Sequence, residues 1–387
     1  MTLALVMSGG GARGAYEVGV LSYIFSDIAR ERGVPPIELI CGTSVGAING
    51  AFVAANIHDP AAGMSRLLEM WRALSLSNVL GFNLLQATRL HRIVLGGRRG
   101  GGLFDATPMT EIIRQGIDYQ QLRKNLKEHR LRAFTVTATH VATGRPICFI
   151  DRGPGVDLPF GLPSAIQVQP AHVMPHHVLA SAAIPIVFPP VFIRKELYCD
   201  GGLRLNTPLS PAIHLGADKV LVIGLSTDSE TPEIRKGRFP GLPFLLGKVL
   251  DAFLLDHVNL DLDELDRIND LLSDGINAFG PDFVDRLNAA AATRGAPPRR
   301  FVSSLAIRPS RDIGVLAMDF LDRERAVLSK TLGRSLLRLI DVGEGARAAD
   351  LASYLLFDGL FADELIELGR SDARARRDEL EAFLYGS

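Results

Sequence analysis

Residues 2–14 read Thr-Leu-Ala-Leu-Val-Met-Ser-Gly-Gly-Gly-Ala-Arg-Gly, a short apolar run that stops at a glycine cluster. Apolar residues then recur at helical spacing across Ala15–Arg30, at Val18, Leu21, Ile24, Phe25 and Ile28. The pattern is strand, glycine-rich turn, helix. It repeats at once: Glu38–Cys41 is a second apolar run, Gly42 a turn, and Val45–Asn56 a small-residue helix. Strand-like runs follow at Ala133–Thr139, Ile147–Ile150, Val191–Tyr198 and Lys219–Leu225, with helical pieces at Ala61–Leu74, Met109–Gly116 and Leu209–Leu215. Such alternation predicts an α/β fold, a mostly parallel central sheet flanked by helices. Beyond Arg235 the pattern turns helical at Leu260–Leu272, Arg323–Ile340 and Asp378–Leu384. We therefore divide the chain into an α/β domain, 1–229, and a largely helical C-terminal extension, 230–387.

Composition narrows the function. The 387 residues carry 42 basic and 43 acidic side chains, so no overall charge recruits nucleic acid. Residues 1–210 alone hold 20 basic against 14 acidic groups, which suits an anionic ligand for that half. The three cysteines, Cys41, Cys148 and Cys199, form no disulfide framework and read as free thiols of a reducing compartment. The N-terminus lacks a basic n-region and reads as a cytoplasmic start. The uncharged stretch Leu158–Ile193 holds seven prolines, too many breaks for a helix in lipid.

Three motifs bear on chemistry. Gly42-Thr43-Ser44-Val45-Gly46 lies between strand and helix, where a Gly-x-Ser-x-Gly stretch forms either a tight structural turn or a nucleophile elbow. Gly9-Gly10-Gly11-Ala12-Arg13-Gly14 exposes consecutive backbone N–H groups that can hold an oxyanion or a phosphate. Its Gly9-x-Gly11-x-x-Gly14 spacing also matches a dinucleotide fingerprint, but the second strand ends in Cys41-Gly42-Thr43-Ser44 without the ribose-binding acid. Asp200-Gly201-Gly202 sets a carboxylate at a strand end beside residues with no side chain, although a bare Asp-Gly-Gly is also an ordinary turn.

As a set in this order, joined by Ala180-Ser181-Ala182-Ala183-Ile184-Pro185 leading into Phe188-Pro189-Pro190, these motifs resemble the patatin-like phospholipase family. The resemblance covers about residues 1–225; Phe357–Phe361 and Ser371–Ala373 look only loosely like bacterial members. It implies a three-layer fold and a serine acyl hydrolase acting on lipid esters, with Ser44 as nucleophile and Asp200 as its direct base. It further implies an oxyanion hole from Gly10, Gly11 and Ala12 with Arg13 adding charge, the glycines Gly9, Gly14, Gly42, Gly46, Gly201 and Gly202 supporting the turns, and no metal or organic cofactor.

Alternatives stand beside this. A Ser…Asp…His triad would draw on His214 or His257. His172, His176 and His177 lack acidic or cysteine partners nearby in sequence and read as structural. The acids Asp261–Asp270 read as a solvated helix face, not a calcium loop. Arg98 and Arg99, with Arg89 and Arg92, would meet phosphate headgroups or simply solvate a loop. Phe239–Leu246 reads as a lid, a lipid-touching loop or a buried contact, and peripheral contact with a membrane enters as an expectation. A catalytically silent lipid-binding or scaffolding protein is the alternative of a different class.

Overall fold

The computed structural model describes residues 1–75, 79, 106–159, 162, 163, 165–227, 257–331 and 349–386. The expected strand, turn and helix follow one another at the N-terminus. Strand β1 (Leu3–Met7) runs into the glycine loop and α1 (Gly14–Ser22), which continues through a π-helical turn (Tyr23–Ile28) into α2 (Ala29–Arg32). Then come β2 (Ile37–Thr43), α3 (Val45–Asn56) and α4 (Pro60–Arg72). Helices α5 (Thr107–Gly116) and α6 (Tyr119–Lys127) precede β3 (Ala133–His140), β4 (Pro146–Arg152) and β5 (Gln167–Pro170). Helix α7 (Pro175–Ser181), β6 (Val191–Ile193), β7 (Glu196–Asp200), α8 (Leu209–His214) and β8 (Lys219–Ile223) complete the first part. The remainder holds α9 (His257–Phe279), α10 (Phe283–Ala292), β9 (Ser303–Ile307), α11 (Ile313–Thr331), α12 (Ala349–Leu355), α13 (Gly359–Ala375) and α14 (Arg377–Tyr385).

The sheet order is β5-β4-β3-β2-β1-β8-β9, with β7 on β3 and β6 on β7. The pairs from β3 through β2, β1 and β8 to β9 are parallel, while β4 and β7 run antiparallel to β3. Alternate residues of β1 enter two cores: Leu3, Leu5 and Met7 join the larger one, Ala4 and Val6 the smaller one on the opposite face. Two apolar faces need two helical layers, and the fold is the expected three-layer α/β arrangement. The largely helical C-terminal part also supplies β9, an additional parallel strand beside β8. Its helix α13 packs along α1 so closely that a Cβ on Gly19 would lie 2.1 Å from the Ile366 carbonyl oxygen, and one on Gly369 would lie 2.3 Å from that of Tyr16. Arg370 fastens the same contact to Ser22 and Asp27, each at 2.9 Å.

One expected element differs. Val191–Tyr198 is not a continuous strand but the hairpin β6–β7, whose turn residues Arg194 and Lys195 have φ of 49° and 76°. Positive φ at both positions of a two-residue hairpin turn is the type I′ requirement, one that Asn-Gly advertises and Arg-Lys does not. The proline-broken segment also holds α7, which Pro175 begins at a position where its missing N–H costs nothing. Among the described residues no helix is long and apolar enough to cross a membrane.

Candidate active site

Strand β3 brings the site together. Along one of its edges β2 runs parallel and ends with Thr43 opposite Thr137; β7 comes from the other direction and ends with Asp200 opposite Ala138, the next residue. Two strands thus point their C-terminal ends at each other, and the turns that follow bring Ser44 and Asp200 into contact. The Ser44 hydroxyl donates to Asp200 Oδ2 at 2.6 Å, and both residues are almost fully buried, at 2% and 1% exposure.

Ser44 sits at φ 54°, ψ −123°, a conformation that costs a non-glycine residue about 1–3 kcal/mol and is kept where surrounding contacts enforce it. The enforcing contacts are visible. A Cβ on Gly42 would lie 2.3 Å from the Gly46 carbonyl oxygen, and one on Gly46 would lie 2.5 Å from that of Met7, so both turn glycines are required by backbone approach. The Ser44 N–H donates to Ser181 Oγ at 2.8 Å, and the Ser181 hydroxyl donates in turn to the Thr137 carbonyl at 2.5 Å. Ser44 also precedes the 12-residue helix α3, whose N-terminal dipole favours negative charge at Oγ.

Asp200 is oriented on every side. Its Oδ1 accepts the Gly202 N–H at 2.7 Å, its own N–H donates to the Ala183 carbonyl at 2.9 Å, and its carbonyl accepts the Thr139 hydroxyl at 2.9 Å. Gly201 lies so close to β3 that a Cβ would stand 2.2 Å from the Thr137 carbonyl oxygen. Burial pushes the Asp200 carboxyl up to about 7, against the opposing hydrogen bonds from Ser44 and Gly202.

The glycine loop abuts the serine: a Cβ on Gly9 would lie 2.9 Å from the Cβ of Ser44. Asn206 pins the loop, accepting the Gly9 N–H on Oδ1 at 3.0 Å and donating from Nδ2 to the Gly9 carbonyl at 3.2 Å. Among the described residues the N–H groups of Gly10, Gly11 and Ala12 donate to no protein acceptor, whereas Arg13 N–H closes the turn on the Gly10 carbonyl. A Cβ on Gly14 would lie 2.3 Å from the Val45 side chain, which ties the loop to the elbow. Arg13 itself is buried, with Nε donating to Ser353 Oγ at 2.7 Å and the guanidinium 4.2 Å from the centre of the Tyr354 ring. Behind the loop Glu17 is fully buried and accepts from the Asn49 amide at 2.8 Å. Burial holds its carboxyl well above the usual carboxylate range, against the opposing hydrogen bonds from Asn49 and the Ser8 backbone.

No described histidine hydrogen-bonds Ser44 or Asp200; His214 Nδ1 donates to the Ser210 carbonyl of its own helix at 2.8 Å. His257 begins α9. His172 leans on Asp151, and His177 Nδ1 accepts the Met174 N–H while burial lowers its ring to about 3. All three cysteines are buried, and burial pushes the Cys41 thiol to about 12 and Cys199 to about 11. Arg98, Arg99 and Phe239–Leu246 lie outside the described residues. Of the residues the motifs did not single out for a role, Ser181 lay within the quoted Ala180–Pro185 block. Asn206, Ser353 and Tyr354 carried no local signal.

The family profile described as Patatin-like phospholipase matches residues 5–213, and the chain belongs to that family. It is 26% identical over 230 residues to an uncharacterized NTE family protein of Mycobacterium tuberculosis, an alignment covering 59% of this chain and 51% of the relative. It is 25% identical over 240 residues to a protein named lysophospholipase nte1 of Aspergillus terreus, covering 60% of this chain and 12% of that one. The chain thus matches about half the length of its mycobacterial relative. Among solved structures, VipD from Legionella pneumophila aligns with 95% of this chain and 66% of its own, at 12% identity and a TM-score of 0.33.

Proposed function

We propose that this protein is a serine acyl hydrolase that cleaves carboxylic esters of lipids through a Ser44–Asp200 dyad, with 1–229 as the catalytic domain and 230–387 as its helical extension. The observation that carries the reading is the buried 2.6 Å contact between Ser44 Oγ and Asp200 Oδ2, beside three unengaged loop amides. As Ser44 Oγ attacks the ester carbonyl, its proton passes to Asp200 Oδ2. The carbonyl oxygen becomes an oxyanion that the Gly10, Gly11 and Ala12 N–H groups stabilise. Collapse expels the alcohol, which takes the proton from Asp200 and leaves an acyl-serine. Water then gives its proton to the same carboxylate and attacks the acyl carbon; release of the acid returns the proton to Ser44.

The reading has a pH signature. Only ionised Asp200 accepts a proton, and its carboxyl ionises near 7. We expect kcat/KM for a short-chain chromogenic ester to rise with pH through a midpoint near neutrality. A midpoint near the ordinary carboxylate value would show that Asp200 is not the titrating base.

We also propose that the protein meets an anionic lipid surface through the β6–β7 hairpin. Val141 N–H bonds to the Leu197 carbonyl, and Leu197 pairs with Phe192, so three apolar side chains cross adjacent strands. Phe192 and Val141 are 67% and 46% exposed; the exposed Arg194 and Lys195 form the turn of the same hairpin, next to the exposed Glu196, and the exposed Arg204 donates to the Gly144 carbonyl. The strand carrying Leu197 ends at Asp200. Because each cation near an anionic surface is worth about 1 kcal/mol, Phe192→Ser with Arg194→Ser and Lys195→Ser should weaken cosedimentation with phosphatidylglycerol vesicles by about tenfold or more. Turnover of a soluble ester should stay unchanged. Undiminished vesicle binding would remove this surface from the reading.

A further inference from the structure

We infer that Ser353 and Tyr354, on α12 beyond the end of the family match, are positioning residues that hold the glycine loop in its oxyanion-binding shape by clamping Arg13. This rests on the hydrolase reading above. Three contacts converge on two loop residues, Gly11 and Arg13. Tyr354 backs Gly11 directly: Gly11 has φ 57°, and a Cβ there would stand 2.3 Å from the Tyr354 carbonyl oxygen. The Arg13 guanidinium lies over the Tyr354 ring at 4.2 Å, and its Nε donates to Ser353 Oγ at 2.7 Å. Both α12 residues and Arg13 are buried, at 0%, 0% and 3% exposure, so these contacts are not screened by water as surface pairs are.

Glycines leave a loop many conformations, and an oxyanion hole works only when its donors are fixed before charge develops. Asn206 fixes Gly9, and Leu225 closes on Gly10, where a Cβ would lie 2.5 Å from its side chain. Helix α12 acts on the residues that follow: the Tyr354 carbonyl limits Gly11, and the Ser353 and Tyr354 side chains hold Arg13, whose N–H closes the turn on the Gly10 carbonyl. The C-terminal segment therefore completes a catalytic loop that lies some 340 positions away in sequence.

The test compares the full-length parent with Ser353→Ala, Tyr354→Leu, Tyr354→Phe and Arg13→Lys. It reads kcat and KM on a soluble short-chain ester and Ki for an alkyl trifluoromethyl ketone, whose ketone carbon bonds Ser44 Oγ and leaves an oxyanion in the loop. Losing one oxyanion donor costs about 10²–10³ in kcat. Loosening the loop should cost a part of that, roughly tenfold or more for Tyr354→Leu and Arg13→Lys. Ki should rise in parallel while KM moves less than about twofold, and Tyr354→Phe, which keeps the ring, should retain the parent values. Far-ultraviolet dichroism and melting identify a variant that fails to fold; should Tyr354→Leu fail, Ser353→Ala and Arg13→Lys decide. Folded variants with unchanged kcat and Ki would overturn the clamp. A parent without turnover, or turnover that survives Ser44→Ala, removes the hydrolase reading and the clamp with it.

Discussion

Asp200→Asn should lower turnover by about 10⁴-fold, in line with the loss seen when a carboxylate supporting a serine nucleophile becomes an amide, yet leave a protein more stable than the parent above pH 7. The two effects share one cause. The carboxyl is buried, and its ionised form is disfavoured in the fold: the proton is lost near 3.8 in the unfolded chain and near 7 in the native state. A raised native value means that ionisation opposes folding, so stability falls as pH rises from about 4 and the loss is complete above about 7. By linkage a shift of this size is on the order of 4 kcal/mol. Asparagine carries no such cost. Its Oδ1 can still accept the Gly202 N–H and its amide can donate to Ser44 Oγ, but it cannot take the serine proton. Melting curves of parent and variant at pH 5 and pH 8, beside rates on one ester, check both halves. A variant less stable than the parent at pH 8 would show that Asp200 is not held as argued.

The second large effect belongs to the elbow glycines. Gly42→Ala should destabilise the protein by several kcal/mol and abolish activity, because the added methyl group meets the Gly46 carbonyl oxygen at 2.3 Å and the Ala47 nitrogen at 2.7 Å. These are backbone atoms of the first turn of α3, and they cannot rotate aside as a flexible side chain would. Relief requires moving the start of the helix, and with it Ser44. Gly33→Ala serves as the comparison: among the described residues nothing beyond its chain neighbours lies within 4 Å of its Cβ, and the cost there is confined to φ of 84°. Denaturant titration distinguishes the two. Equal losses at both positions would mean that close approach at the elbow is not what selects glycine.

How far the sequence could be read depended on how local each signal is. Leu3–Met7 and Ile37–Thr43 announced themselves because each apolar run stops at glycine before a helical pattern, and the parallel sheet followed from that repetition. The meeting of Ser44 with Asp200 is different in kind. It depends on β2 and β7 sharing one edge of β3 in consecutive registers, a long-range pairing with no mark at either residue. The resemblance to the patatin-like family suggested the pair; the strand pairing explains it. The β6–β7 hairpin hid because Arg194-Lys195 lacks a turn signature. Ser353 and Tyr354 could not be found locally, since what marks them is contact with Arg13 some 340 positions earlier.

The central claim, that Ser44 attacks and Asp200 takes its proton, is tested most directly by trapping the covalent intermediate. The protein is mixed with an alkyl fluorophosphonate, and the modified residue is located by peptide mass spectrometry in the parent, Ser44→Ala, Asp200→Asn and a His214→Ala/His257→Ala double variant. The account predicts a single adduct on Ser44 in the parent. It should be absent from Ser44→Ala, form far more slowly in Asp200→Asn, and form at the parent rate without the two histidines. An adduct on another residue, or one that needs either histidine, would contradict it.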